Sequence, residues 1–176
     1  MAIFQLAIDN FFHIHKQFPI NNYNLQKRNK FGVPLSMQNN ILNYKNLLDI
    51  SQEEAEDIFF EHYWLDNHYD DLTSQLLSNK LFEIAVYISP KVANRFLQKA
   101  INEVLEEKVV DEDGIIGLQT SSKISFLLSL DCEKEILNIV NILQRIYYTE
   151  LVNFRKLDST FLAICNYSKI IQKNIK

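Results

Sequence analysis

Carboxylates, imidazoles and thiols are the side chains best suited to chemistry near neutral pH, and they are spread unevenly along this chain. The first 50 residues hold only the acids Asp9 and Asp49 and no Glu. His13 and His15 lie in the segment FFHIHKQF, where helical geometry would bury one in part and expose the other. The stretch HYWLDNHYDD gathers His62, Asp66, His68, Asp70 and Asp71. Its spacing fits no established set of metal ligands, and it falls where a helical pattern gives way to polar residues, so it reads as a solvated surface loop. No metal site and no cofactor is assigned. Cys132 and Cys165 lack a His and Asn arrangement that would make either a nucleophile. Without an export signal they read as two core thiols rather than a disulfide. The aromatic residues Tyr23, Phe31, Tyr63, Trp64, Tyr69 and Tyr87 could line a sugar groove, because sugars stack on aromatic faces, although packing explains most of them equally well.

The elements that must hold these residues read as helices. Hydrophobic residues make up 47% of the 176-residue chain and charged residues 23%, the balance of a globular protein with a real core. Gly and Pro number only 3 each, which suits long helices joined by polar loops and predicts an all-α class. A net charge of −4 gives no broad basic surface, which argues against nucleic acid and against anionic membranes. No apolar run is long enough to span a bilayer. The opening MAIFQLAIDNFFHIHKQF has Asp9 inside its apolar stretch and lacks a basic start, so it does not read as a signal peptide; synthesis in the cytoplasm, with action in the envelope left open, is expected.

Phe4, Ala7, Ile8, Phe11, Phe12 and His15 recur at steps of three and four and predict a first helix. A polar loop over 19–34 and a weaker helix over 36–48 follow. Ser51-Gln-Glu-Glu54 is a capping box that starts a helix running to Tyr63 or Trp64. Leu76, Leu77, Leu81, Ile84, Ala85 and Ile88 form the stripe of another, and Ser89-Pro90 caps the next, whose inward face is Ala93, Phe96, Leu97, Ala100, Ile101 and Val104. VVDEDGIIG predicts a short hairpin or a tight loop. Thr120 or Ser121 can cap a helix to about Leu130, Asp131 can cap a long one carrying Ile136, Ile139, Val140, Leu143, Ile146, Tyr147 and Leu151, and a last helix begins near Asp158.

In this order, EEAEDIFFEHYW, Asp71-Leu72, LFEIAV, LQKAIN and DGIIGLQT resemble the run found in glycoside hydrolase family 108, whose members are secretion activators and phage-type peptidoglycan muramidases. The resemblance covers roughly residues 4–155 and is strongest between Glu53 and Thr120. It implies a lysozyme-like helical bundle with at most one short β-hairpin near residues 108–118, a muramidase-type domain over 1–130, and a helical, peptidoglycan-binding-like segment over 131–176 packed on it.

The family's presumed general acid is a glutamate at the end of the first helix, followed by two glycines and an aromatic residue. Cleavage of a glycosidic bond needs such a group, because the leaving oxygen must be protonated as charge builds at the anomeric carbon. Here the resemblance puts His15 at the glutamate, Lys16 and Gln17 at the glycines and Phe18 at the aromatic residue. With no Glu in the first 50 residues, a small shift of register restores nothing. NKFGVP keeps Phe31, Gly32 and Val33 of a family loop but loses both of its threonines. FEIAVYIS has Glu83 for a family aspartate, Tyr87 for an asparagine and Ser89 for a glycine. The C-terminal AICNY keeps only an asparagine of a longer family run.

The resemblance therefore implies a non-catalytic muramidase-like protein that binds a peptidoglycan glycan strand or an envelope or secretion protein. Phe18, Phe31, Gly32, Tyr63 and Tyr87 are its candidate groove residues. A competing expectation is an active muramidase with a relocated acid, Glu83 being the fallback. A third is a protein-interaction module of a secretion system or phage, using the exposed face of the long helix from about Asp131 to Arg155.

Overall fold

The computed structural model describes residues 1–17, 28–39 and 46–155. Phe18, Tyr23, Cys165 and the last helix expected near Asp158 lie outside them. The chain is all-α: α1 (Phe4–Gln17), α2 (Gln52–Phe59), α3 (Gln75–Tyr87), α4 (Pro90–Val104), α5 (Leu118–Ser129) and α6 (Glu133–Arg155). Among the described residues there is no strand, only an isolated antiparallel bridge between Arg28 and Pro34.

Local chemistry sets most of the helix starts. The capping box forms as its residues dictate, with the Ser51 hydroxyl accepting from the Glu54 amide and the Glu54 carboxylate accepting from the Ser51 amide. α2 then widens into a π turn, Phe60–Trp64. The Asn67 side chain donates to the Tyr63 carbonyl at 3.1 Å, satisfying one group that the widened turn leaves over, and left-handed His68 (φ 56°) ends the run. Ser74 caps α3, and Ser89 with Pro90 at the first position caps α4.

Phe82 on α3 is the centre of the aromatic core. Its ring meets Phe4 at 5.8 Å, Trp64 at 5.9 Å, and Phe11 and Phe59 at 6.1 Å, all near edge-to-face, so one side chain ties α1, α2 and its π turn to α3. α3 is buried at every position from Leu77 to Tyr87. On its other side, α4 and α6 close the same core through Ala93, Leu97, Ile101, Ile136, Val140 and Tyr148.

Some elements differ from expectation. The 36–48 segment has only a 3₁₀ turn, Leu35–Asn39, among its described residues. VVDEDGIIG takes the loop alternative, and the reason is α4. Asn94, Gln98 and Asn102, four apart on one face, bind the loop backbone in place of a partner strand. Asn102 accepts from the amides of Val109 and Val110, both at 3.0 Å, and Gln98 accepts from the Gly114 amide at 2.8 Å. α5 begins at Leu118, so Thr120 is a buried residue of its first turn rather than its cap. Asp131 is left-handed (φ 59°) and turns the chain one residue before Cys132, whose carbonyl accepts the Ile136 amide. On α6 the buried aromatic residue is Tyr148, while Ile146 is half exposed.

Candidate functional site

The end of α1 packs against the turn 28–34, and that turn is built by one side chain. Asn29 Oδ1 accepts from the amides of Phe31 (2.9 Å) and Val33 (3.0 Å), while its Nδ2 donates to the Leu47 carbonyl at 2.8 Å. The result is a positive φ of 89° at Gly32, where an added Cβ would stand 3.1 Å from Phe11 Cζ and 3.6 Å from His15 Cε1. The backbone conformation therefore favours glycine, and the room for a Cβ beside Phe11 is tight. Arg28 clamps the turn to α3: Nη1 donates to the Gly32 carbonyl at 2.6 Å and Nη2 to the Tyr87 carbonyl at 3.2 Å.

His15 is buried at this junction and stacks on Phe11, with ring centroids 5.5 Å apart. Burial and the Arg28 charge lower its pKa, against the raising effect of a hydrogen bond donated to the Lys30 backbone, so the imidazole is neutral at pH 7. Its Nδ1 is buried with no hydrogen-bond partner. Burial also raises the phenol pKa of Tyr63 and, with the Glu83 charge adding to it, that of Tyr87, while Arg28 opposes both. Both phenols stay protonated. Tyr63 donates to Met37 Sδ at 3.3 Å, whereas the Tyr87 hydroxyl is buried without a partner. Phe31 is partly exposed, with the Lys30 ammonium 4.9 Å from its ring centroid. The structure thus brings His15, Phe31, Gly32, Tyr63 and Tyr87 together around Arg28.

Glu83 lies deeper. It is 2% exposed and accepts from Lys80 Nζ at 3.1 Å and from Gln144 Nε2 at 3.2 Å, the latter reaching across from α6. The imidazole and acid residues of HYWLDNHYDD are surface pairs instead: His62 with Asp66 and His68 with Asp71, each at 3.5 Å. Among the described residues no three His, Cys, Asp or Glu side chains group as a metal site would need. Cys132 is a free, partly exposed thiol packed against the core.

Arg28 is the residue that sequence reasoning missed. It sat in a polar loop with nothing to distinguish it from its neighbours Lys27 and Lys30. The available signal was the lack of acids around it: apart from Asp9 and Asp49, the first 50 residues offer a cation no carboxylate.

The family model of glycosyl hydrolase 108 matches residues 22–88. This span holds three of the five motif pieces that resemble the family, while LQKAIN and DGIIGLQT lie beyond it. No curated protein matches the chain. Among solved structures it is similar to that of Brucella abortus SagA, with a TM-score of 0.66 at 16% identity and 96% of each chain covered. The turn at Gly32, the π turn and α3 with its buried pair all fall inside the glycosyl hydrolase 108 match, which lies within an all-α chain that has the fold of SagA.

Proposed function

We propose that this chain is a non-catalytic relative of the peptidoglycan muramidases, acting at the cell envelope by holding glycan rather than cutting it. Residues 1–130 supply the lysozyme-like part, and the segment 131–176 follows it, its described portion being α6. The observation that carries the reading is what stands where a proton donor is needed. A general acid must hold a proton at working pH and reach the glycosidic oxygen. His15 is neutral, buried and stacked on Phe11. Glu83, the other candidate, is enclosed by Lys80 and Gln144. The family match supports peptidoglycan as the ligand class, and we assign the partly exposed Phe31 to the binding surface, with Tyr87 among the buried residues of the same site.

The test pairs turbidity loss of purified peptidoglycan with retention on the same insoluble glycan. The expected outcome is retention without clearing. Clearing at a rate comparable to a family muramidase would overturn the reading in favour of an enzyme with a relocated acid. Neither clearing nor retention would turn the search to a protein partner.

A further inference from the structure

Arg28 holds a positive charge that the described structure does not neutralise. Its guanidinium offers five N–H donors, and the two bonds it makes among the described residues go to uncharged carbonyls, those of Gly32 and Tyr87. No ion pair to Arg28 forms among the described residues; of the others, residues 18–27 and 40–45 contain no Asp or Glu and 156–176 contain only Asp158. Glu83, the carboxylate that bears on Tyr87, is already engaged by Lys80. The groups that bear on the guanidinium are the phenols of Tyr63, Tyr87 and Tyr148 and the His15 imidazole, none of them a carboxylate. A largely desolvated cation without a counter-ion is costly, and structures seldom keep one that nothing fills.

A second, independent observation lies beside it. The Tyr87 hydroxyl is buried, 2% of the residue being exposed, and has no hydrogen-bond partner. Arg28 binds the backbone carbonyl of the same residue, and its charge and the Tyr87 phenol act on each other, so the hydroxyl and the guanidinium belong to one locale. Arg28 itself is partly exposed, which leaves a route from solvent. A guanidinium fork with free N–H groups, backed by a hydroxyl donor, matches the planar, two-oxygen shape of a carboxylate.

We propose that Arg28 and the Tyr87 hydroxyl form a receptor for a carboxylate group of peptidoglycan, beside His15, which the family resemblance sets at the position of the acid. The inference rests on the binding reading above and names the ligand group of that same site. Two sources offer the chemistry: the lactyl group of a peptide-free muramic acid, and the carboxylates of the stem peptide.

The experiment is a titration of the full chain, followed by heteronuclear NMR, with N-acetylmuramic acid, its methyl ester, and N-acetylmuramyl dipeptide, in which the lactyl group is amidated and the carboxylate sits on the peptide. The acid or the dipeptide should bind at least about tenfold more tightly than the ester, the loss expected when a charge-assisted pair is removed. Which of the two binds identifies the source. Arg28→Gln should abolish that preference, and Arg28→Lys should recover part of it. Equal binding of acid, dipeptide and ester, or no binding of any, overturns the receptor. Should Arg28→Gln fail to fold, the acid and ester compared on the unaltered chain decide alone. Retention of the unaltered chain on insoluble peptidoglycan tests the underlying reading separately. Retention with no carboxylate preference sinks only the receptor, and an Arg28-dependent preference without retention sinks only the wider function.

Discussion

Lys80 and Glu83 are three apart on α3, 0% and 2% exposed, and each is the other's charge partner. A buried ion pair adds little net stability, but removing one member takes from the other its opposite charge. Glu83→Gln should therefore cost about 3–5 kcal/mol, seen in denaturant unfolding, and leave retention on peptidoglycan intact. If it instead removed a lytic activity from a stable protein, Glu83 would be the relocated acid. His15 makes a different prediction. Its folded pKa lies below the ordinary 6.5, so the unfolded chain takes up this proton first as the pH falls. Stability from this group is thus full above about 6.5 and declines as the pH drops toward the folded value. Unfolding free energies measured across pH 5 to 7.5 should slope upward with pH at this site, and His15→Gln should flatten that slope. An unchanged slope would mean that the imidazole is not buried neutral. The sequence made His15 legible because the family position of the acid points to it. Arg28, which dominates the field there, was not legible, because a cation in a polar loop looks solvated until folding strips away its water.

Helix boundaries were readable where a side chain makes them and unreadable where the backbone does. Ser51, Ser89 and Pro90 act through hydrogen bonds and ring geometry that the residue type fixes, and α2 and α4 begin there. Ser51→Ala should accordingly cost about 1 kcal/mol in thermal or denaturant unfolding, because the Glu54 amide loses its hydroxyl acceptor. The start of α5 at Gly117 has no side-chain cap, and Thr120, which looked like one, is buried three residues inside. The loop 105–117 was harder still. Its Asp-Gly signal suits a hairpin or a loop, and the choice is made by Asn94, Gln98 and Asn102 on a helix whose apolar face drew the attention. Their four-residue spacing was present in the sequence, but amides at such positions look solvent-facing until their partners are known. Gly114 shows how closely α4 holds this loop: its φ is 84°, and a Cβ there would stand 2.6 Å from the Lys91 carbonyl oxygen. Backbone must move to admit it, so Gly114→Ala should cost more than the roughly 1–2 kcal/mol that a left-handed residue alone costs. Amide exchange at Val109, Val110 and Gly114 should accelerate in that variant while the α3 amides stay protected.

At the scale of the molecule, the question is whether the segment after residue 130 is an addition to a finished domain or a wall of its core. Ile136 and Val140 are 0% exposed and Leu137 8%, in one continuous cluster with α3 and α4. Tyr147 meets Phe96 of α4 at 5.9 Å, and Ser74, the cap of α3, donates to Glu133 at the start of α6. Gln144 supplies a hydrogen bond to Glu83, so α6 also shields the buried ion pair from water. Cutting the chain at 130 would uncover the apolar face of α3 and α4 and wet Lys80 and Glu83 together. Several buried aliphatic and aromatic side chains lose their cover at once, each removal costing about 2–5 kcal/mol, which together exceeds the 5–15 kcal/mol total typical of a domain. A protein of residues 1–130 should show no cooperative thermal transition and a weak near-UV circular dichroism signal. A sharp transition would instead establish the first 130 residues as an independent folding unit, with α6 a separable segment docked on its surface. The exposed Ile142 and Ile146, on the far side of the same helix, belong to neither outcome's core, so replacing both with polar residues should leave the melting temperature of the full chain within a few degrees of its starting value. A helix that completes the core on one face and remains open to solvent on the other is what that pair of results would describe.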